Sequence, residues 1–308
     1  MIDPRLQALR VLHEHGTVTA AAAALHLTPS TVSQQLRGLA RELEVELLEQ
    51  VGRRVQLTAA GHALLRHADL LAAQAESARA ELAAHRAGIA GVLRISAMPT
   101  ALGALGALAA ARLRDANPGL TVELIEDESA ECFESLLVGD SDIGIVLPAP
   151  GTPAPDDLRF EQRPLLSEPL DLLVPVGHSL AGRGSVALSE AAAEPWITGR
   201  ARIAHRLVVS AACAAAGFTP RIAGQALHFP GVAAMVAHGF GVSLVPRLAV
   251  WPPSLAVVRV ALHDDPVPVR RHLTAVRRGS AEHPVIAAGL EAIRGVCRER
   301  TDITVLDG

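Results

Sequence analysis

The first forty residues constrain the fold more than any other stretch. Leu6, Leu9 and Leu12 recur at helical spacing within residues 4–15, with Val11 beside them. Gly16 ends that helix, and Thr17 or Thr19 can cap a second one over residues 20–25. After a turn at His26-Leu27, Thr28-Pro29 reads as the N-cap and first residue of a third helix, residues 30–41. Two short helices, a tight turn and a longer helix in so short a span follow the helix-turn-helix plan. In the third helix Val32, Leu36 and Leu39 share the inward face. Ser30, Thr31, Ser33, Gln34 and Arg37 are left facing out, with Thr28 at the helix start. These side chains suit DNA: Arg pairs with guanine, Gln with adenine, and Ser and Thr with phosphate or base.

The next segment alternates around a glycine: Val51-Gly52-Arg53-Arg54-Val55-Gln56-Leu57. That pattern predicts a small hairpin wing, whose tip would bring Arg53 and Arg54 to phosphates or the minor groove; a solvated turn is the plainer alternative.

Composition bounds the rest. The chain has 308 residues, enough for two domains or more. It carries a net charge of −4 and all its basic side chains other than His are Arg, so charge alone does not announce a nucleic-acid binder. Residues 1–58 balance: Arg5, Arg10, Arg37, Arg41, Arg53 and Arg54 face Asp3, Glu14, Glu42, Glu44, Glu46 and Glu49. Non-specific affinity per domain should be modest, and tight binding then requires several domains on one DNA. No long charge-free apolar run predicts a spanning helix, and residues 1–10 lack an apolar leader, so a soluble cytoplasmic protein is expected. Cys132, Cys213 and Cys297 are odd in number and far apart, which argues against a disulfide scaffold and a Cys-based zinc site. No metal and no cofactor is expected.

From Thr58 to about Gly88 there is no proline, and helix formers dominate. Leu64, Leu71 and Ala78 recur every seven residues, with Ala68, Ala75 and Leu82 at the offset positions. This is a heptad seam of small residues, suited to close helix pairing, unless it packs on its own domain. About 30 residues of helix extend roughly 45 Å.

The run Ala22-Ala23-Ala24-Leu25-His26-Leu27-Thr28-Pro29-Ser30-Thr31-Val32-Ser33-Gln34-Gln35-Leu36, followed by Gly52-Arg53-Arg54-Val55-Gln56-Leu57-Thr58-Ala59-Ala60-Gly61, resembles the winged helix-turn-helix of LysR-type transcriptional regulators. Three positions depart from the family pattern. Ala40 stands where the family has Glu, Glu44 where it has glycine, and Gln50 where it has Arg. Ala40 and Gln50 lose a Glu and an Arg together, so neither charge is stranded if the two normally pair. Glu44 removes a helix-ending glycine and leaves the end of the third helix open. The resemblance implies that the helix over 59–88 makes a homodimer, with homotetramers usual, and spaces two DNA-reading domains on a pseudo-palindromic double-stranded site.

Beyond residue 88 apolar strands alternate with helices: strands near 91–96, 120–125, 143–146, 170–176, 195–197, 242–245, 256–260 and 272–276, and helices near 130–137, 203–216, 232–238 and 285–300, with another opening at Pro99-Thr100. Alternation with fully apolar strands predicts an α/β domain with a mostly parallel sheet. The proline-rich run 148–157 reads as a loop or hinge. The segments at 117–124, 139–145, 169–178, 216–218 and 236–246 look like the effector-binding half of the same family, which is similar to two-lobed periplasmic solute-binding proteins. The expected organisation is therefore a winged helix-turn-helix over 1–58, a linker and dimerisation helix over 59–88, and an α/β effector domain over 89–308. Its first lobe would take about 89–163 and 269–300, and its second about 164–268.

A cleft between such lobes offers helix N-termini to an anion. Ser96, Pro99 and Thr100 sit where a strand hands over to a helix; Thr100 can contact a ligand or simply cap. The resemblance adds Ser129, Leu147, Thr198 and Phe229. Arg200, with Arg202, His205 and Arg206, can hold a carboxylate or form a solvated loop. His228 can be a pH-sensitive contact or a surface residue. A small-molecule effector is expected, with an anion favoured by this chemistry.

Rival classes fare worse. Gly103 and Gly106 faintly suggest a dinucleotide-binding enzyme, but they fall inside a helix and the first glycine pair is missing. No nucleophile-elbow, zinc-protease or phosphate-loop motif occurs. A small-molecule-binding protein without DNA contact would not explain residues 1–88. A thiol-responsive regulator of the same fold would need a second cysteine between Thr198 and Cys213, and none is there.

Overall fold

A computed structural model describes residues 2–51, 54–85, 88–200 and 204–306. The chain opens with α1 (Pro4–His15), α2 (Val18–Ala24) and α3 (Pro29–Glu42). Asp3 and Thr17 cap the first two helices with their side chains. Pro29 fills the first turn of α3, where an N–H has no acceptor to serve, and Thr28 Oγ1 accepts the Thr31 N–H at 3.2 Å. A hairpin follows, β1 (Leu48–Val51) against β2 (Arg54–Leu57), antiparallel with Leu48 opposite Leu57. Thr58 then caps the 26-residue helix α4 (Ala59–Ala84).

The end of α3 answers the question left by Glu44. The helix closes with the Val45 N–H on the Ala40 carbonyl at 3.1 Å, and Glu44 itself takes φ +55°. That is the left-handed conformation a helix-ending glycine supplies without a Cβ penalty. The helix therefore ends where a glycine would end it, at the cost of a strained glutamate.

The remaining chain forms two lobes. The first contains β3 (Gly91–Ala97), the short α5 (Pro99–Ala101), a π-helical turn (Leu102–Gly106), α6 (Ala107–Ala116), β4 (Leu120–Glu126), α7 (Ser129–Val138) and β5 (Ile143–Val146). Strand β6 (Phe160–Pro175) crosses into the second lobe. There follow β7 (Ser185–Val186), β8 (Pro195–Gly199), α8 (Ala204–Ala215), β9 (Arg221–Ala226), α9 (Phe229–Ala237), β10 (Ser243–Pro246) and β11 (Val257–Leu262). Strand β12 (Val269–Arg277) returns to the first lobe, and α10 (Pro284–Arg298) and β13 (Thr304–Val305) close it.

Strands β4, β3 and β5 lie side by side in parallel. Strands β8 and β9, and β7 and β11, also pair in parallel, but the expectation of a mostly parallel sheet needs correction around β6 and β12. Strand β12 runs antiparallel to β5 and β6, and β10 and β11 run antiparallel to β6. The chain leaves the first lobe along β6 and comes back along β12, so the two crossings point in opposite directions. Strand β6 also starts ten residues before the apolar run at 170–176 suggests, because Pro164, Glu168 and Pro169 interrupt its pattern. Strand β9 escapes sequence reading because it alternates exposed and half-buried residues.

Each lobe has its own core, Leu93, Ile95, Ile143 and Ile293 in the first and Leu172, Trp196 and Leu244 in the second. The winged domain does not stand apart. One apolar cluster runs from Leu9, Val32 and Leu36 through Leu65 to Phe133, Leu136 and Phe160 of the first lobe. Around it Gln7 Nε2 donates to the Leu137 carbonyl at 2.9 Å, and Arg159 pairs with Glu14. Exposed ion pairs contribute up to about 1 kcal/mol each, whereas each buried Leu or Phe contributes about 1.5–3 kcal/mol, so the apolar contact carries this docking.

The strain at Glu44 makes a direct prediction. Glu44→Gly raises the unfolding free energy by about 1 kcal/mol, read as a higher urea midpoint at constant slope. An unchanged or lower midpoint would contradict the strained cap.

Candidate DNA-reading face and effector cleft

Helix α3 divides as its sequence demands. Val32, Leu36 and Leu39 are buried, while Ser30, Gln34 and Arg37 are exposed and Thr31 and Ser33 half-buried. Thr28 is exposed, but its hydroxyl is engaged by Ser30 Oγ and Thr31 Oγ1, each at 2.8 Å, so its first task is to cap. Arg37 Nε donates back to the Ser33 carbonyl at 3.1 Å, leaving the terminal nitrogens toward solvent. Arg54 begins β2, and Arg53 lies outside the described residues.

The expected seam of α4 is split. Leu71, Ala78 and Leu82 are exposed, Leu71 by 53% and Leu82 by 66%, and Leu64 and Ala75 are half-covered. Ala68 has no exposure at all, and this corrects its place in the seam. It is buried because this part of α4 packs on α1 of its own chain, where Arg10 Nε donates to Asp69 Oδ1 at 2.6 Å. Leu70 adds a further exposed leucine beside Leu71.

Between the lobes lies a cleft of about 350 Å³. The first lobe supplies Met98, Pro99, Thr100, Glu126 and Glu128. The second supplies His205, Leu227, His228, Phe229, Val232 and Val250, and Arg270 enters from β12. The helices opening at Pro99, Ser129 and Phe229 have N-caps Met98, Glu128 and His228, and none of these caps with its side chain. Their free N–H groups and positive dipole ends border the cleft.

Of the eight expected effector contacts, Pro99, Thr100 and Phe229 line this space. The others are corrected. Ser96 is fully buried, with its hydroxyl 2.9 Å from Ser141 Oγ, so it is spent inside the first lobe and does not line the cleft. Ser129 Oγ accepts the Leu147 N–H at 2.9 Å, so both residues brace the loop after β5. Thr198 is fully buried and donates to the Gly199 carbonyl at 3.0 Å. Arg200 is exposed and absent from the lining, and Arg202 lies outside the described residues. His228 does line the cleft.

Sequence reading missed Arg270. The residue is 5% exposed, and its Nη2 donates to Thr100 Oγ1 at 3.1 Å. Its Nε donates at 2.9 Å to Glu168 Oε1, which also accepts from His272 Nε2 at 2.6 Å. The second carboxylate oxygen, Glu168 Oε2, accepts the Leu248 N–H at 2.9 Å. Burial pushes the Glu168 carboxyl up, but the His272 bond, the Arg270 charge and the Leu248 N–H outweigh it and hold its pKa at about 2. Burial likewise depresses His272, which therefore serves Glu168 as a neutral donor. The readable signal was Arg270 and His272 two residues apart, on one face of a strand, with Glu168 opposite Arg270 in the strand beside it.

His205, stacked edge-on to Phe229 at 4.9 Å, donates Nε2–H to the Leu244 carbonyl at 2.8 Å. Burial lowers its pKa to about 4, against the smaller raising effect of that hydrogen bond. At the rim, burial and the neighbouring Glu131 raise Glu128, with His228 and Arg270 opposing. The thiols of Cys132 and Cys213 are pushed by burial to about 12, and that of Cys297 to about 11, so all three stay protonated at neutral pH.

Known proteins match the chain along its length. The family model for the LysR substrate binding domain matches residues 86–298. The one for bacterial regulatory helix-turn-helix proteins of the lysR family matches residues 4–62. A probable hydrogen peroxide-inducible genes activator from Streptomyces viridosporus is 29% identical over 94% of each chain. The regulator AlsR of Bacillus subtilis is 32% identical over 74% of this chain and 75% of its own. A full-length OxyR variant from Pseudomonas aeruginosa shares the fold with a TM-score of 0.70 at 22% identity, covering 100% of this chain and 99% of that one.

The buried histidine sets an acid limit. His205 stays neutral in the fold, while the unfolded chain takes up its proton from about pH 6.5 downward. Its contribution is complete above that pH and is lost as pH falls toward about 4. Between about pH 6.5 and pH 5 the loss should reach about 2 kcal/mol, and His205→Gln should flatten that slope in urea unfolding. Equal slopes for the two proteins would contradict the assignment.

Proposed function

The chain belongs to the LysR family of bacterial transcriptional regulators, and from that premise we propose that a homodimer reads a pseudo-palindromic DNA site and answers to a small molecule held in the cleft. It is a DNA-binding regulator with an effector-binding domain, and its relatives are regulators rather than enzymes. The division of α3 carries the DNA reading: an apolar face sunk in the domain and a polar face, with Gln34 and Arg37, left open. In this reading Ser30, Thr31, Ser33, Gln34 and Arg37 enter the major groove, and Thr28 fixes the helix start. Arg53 and Arg54 of the wing reach the flanking backbone.

The exposed stripe of Leu71, Ala78 and Leu82, with Leu64 and Ala75 at its edge, supports pairing of α4 with the same helix of a second copy. Two readers on one symmetric site offset the near-zero net charge of each. The cleft supports control: a ligand that binds one interlobe angle better than another shifts the balance between them. Coupling is reciprocal, so operator DNA should alter ligand affinity by the same factor. Helix N-termini and Thr100 favour a ligand with an acceptor or negative group. In this reading the protein works in the cytoplasm, where promoter DNA is found.

Arg37→Ala tests the reading. Fluorescence anisotropy should show specific binding to DNA upstream of the protein's own gene weakened by about 1–3 kcal/mol, with shuffled DNA little affected. An equal loss on both probes would make Arg37 a phosphate contact, and no loss on either would remove α3 from the interface.

A further inference from the structure

The floor of the cleft is more specific than its outline. Arg270 is buried, yet its Nη1 makes no hydrogen bond among the described residues, because Nε and Nη2 serve Glu168 and Thr100. Thr100 Oγ1 accepts from Arg270, which leaves its own hydroxyl hydrogen to donate. Two donors, the Arg270 guanidinium and the Thr100 hydroxyl, thus meet in the cleft, where the planar guanidinium suits a carboxylate. Along the walls Leu227, Phe229, Val232 and Val250 are apolar. The lining also carries Glu126 and Glu128, which oppose any second negative charge.

We propose that Arg270 anchors the single carboxylate of the effector, and that the cleft selects a monocarboxylate with an apolar body over a dicarboxylate. This rests on the cleft being the effector site. The anchor also carries information. Glu168 holds Arg270 while gripping His272 and the Leu248 N–H, so a ligand carboxylate shares its guanidinium with the residue that joins the two lobes.

The test uses full-length protein and a defined panel: butanoate, hexanoate, octanoate and benzoate, their primary amides, and succinate and adipate. Thermal unfolding finds binders, and calorimetry measures them. At least one monocarboxylate should bind, with its amide and the dicarboxylates at least about tenfold weaker, or about 1.4 kcal/mol. Glu128→Gln should narrow the gap between adipate and hexanoate. Replacing Arg270 and Glu168 together by Gln removes both charges at once, so neither is stranded, and should abolish the preference for acid over amide. Thr100→Val, which leaves the Arg270–Glu168 pair in place, should weaken the acid severalfold and serves where the double variant does not fold. Amides or amines that bind as well as acids, and weaken with Phe229→Ala, would overturn the anchor and keep the cleft as the effector site. No binding by any compound overturns the anchor as stated, and operator affinity, measured separately, still reports the DNA reading.

Discussion

Glu168 is the group on which the two lobes depend. It is fully buried, sits in the strand that crosses between them, and accepts from the returning strand at Arg270 and His272 and from the backbone of Leu248. A carboxylate in that position without its partners would cost several kcal/mol. Satisfied, it fixes three passes of the chain at the hinge relative to one another. Because Arg270 also lines the cleft, the hinge and the cleft share a residue.

The same economy appears at the other end of the first lobe. The winged domain shares an apolar cluster with Phe133 and Phe160, so its three helices are seated on the effector domain as well as joined to it through α4. A close approach keeps that seat narrow: a Cβ on Gly279, at φ +87°, would lie 2.3 Å from the Ala73 carbonyl of α4. The contact uses the faces of α1 and α4 that point inward. It leaves the polar face of α3 and the leucine stripe of α4 in solvent, which are the two surfaces a DNA-bound dimer requires.

Much of this was legible in the sequence, for reasons that differ between elements. Capping residues and apolar spacing located the three N-terminal helices and α4, because those signals are local. The crossing strand was half hidden, since Pro164, Glu168 and Pro169 break its apolar pattern while its ladder partners lie about a hundred residues away. The cleft was found by segment rather than by side chain. Ser96 lies next to the right turn, but its hydroxyl is spent on Ser141, and Ser129 and Thr198 spend theirs on the backbone. Arg270 and Arg271 are adjacent and alike in sequence, and only the pairing with Glu168 distinguishes the buried Arg270 from the exposed Arg271. Ala68 fits the heptad by spacing, yet α1 of its own chain takes that position.

The central claim is that two α3 helices, held by paired α4 helices, read one symmetric site. Selection of bound duplexes from a random DNA pool, followed by sequencing, tests it without knowledge of the effector or the target gene. The account predicts an enriched interrupted palindrome whose half-sites lie on one face of the helix, separated by a multiple of roughly 10 base pairs. An enriched motif without two-fold symmetry, or no enrichment at all, would contradict it.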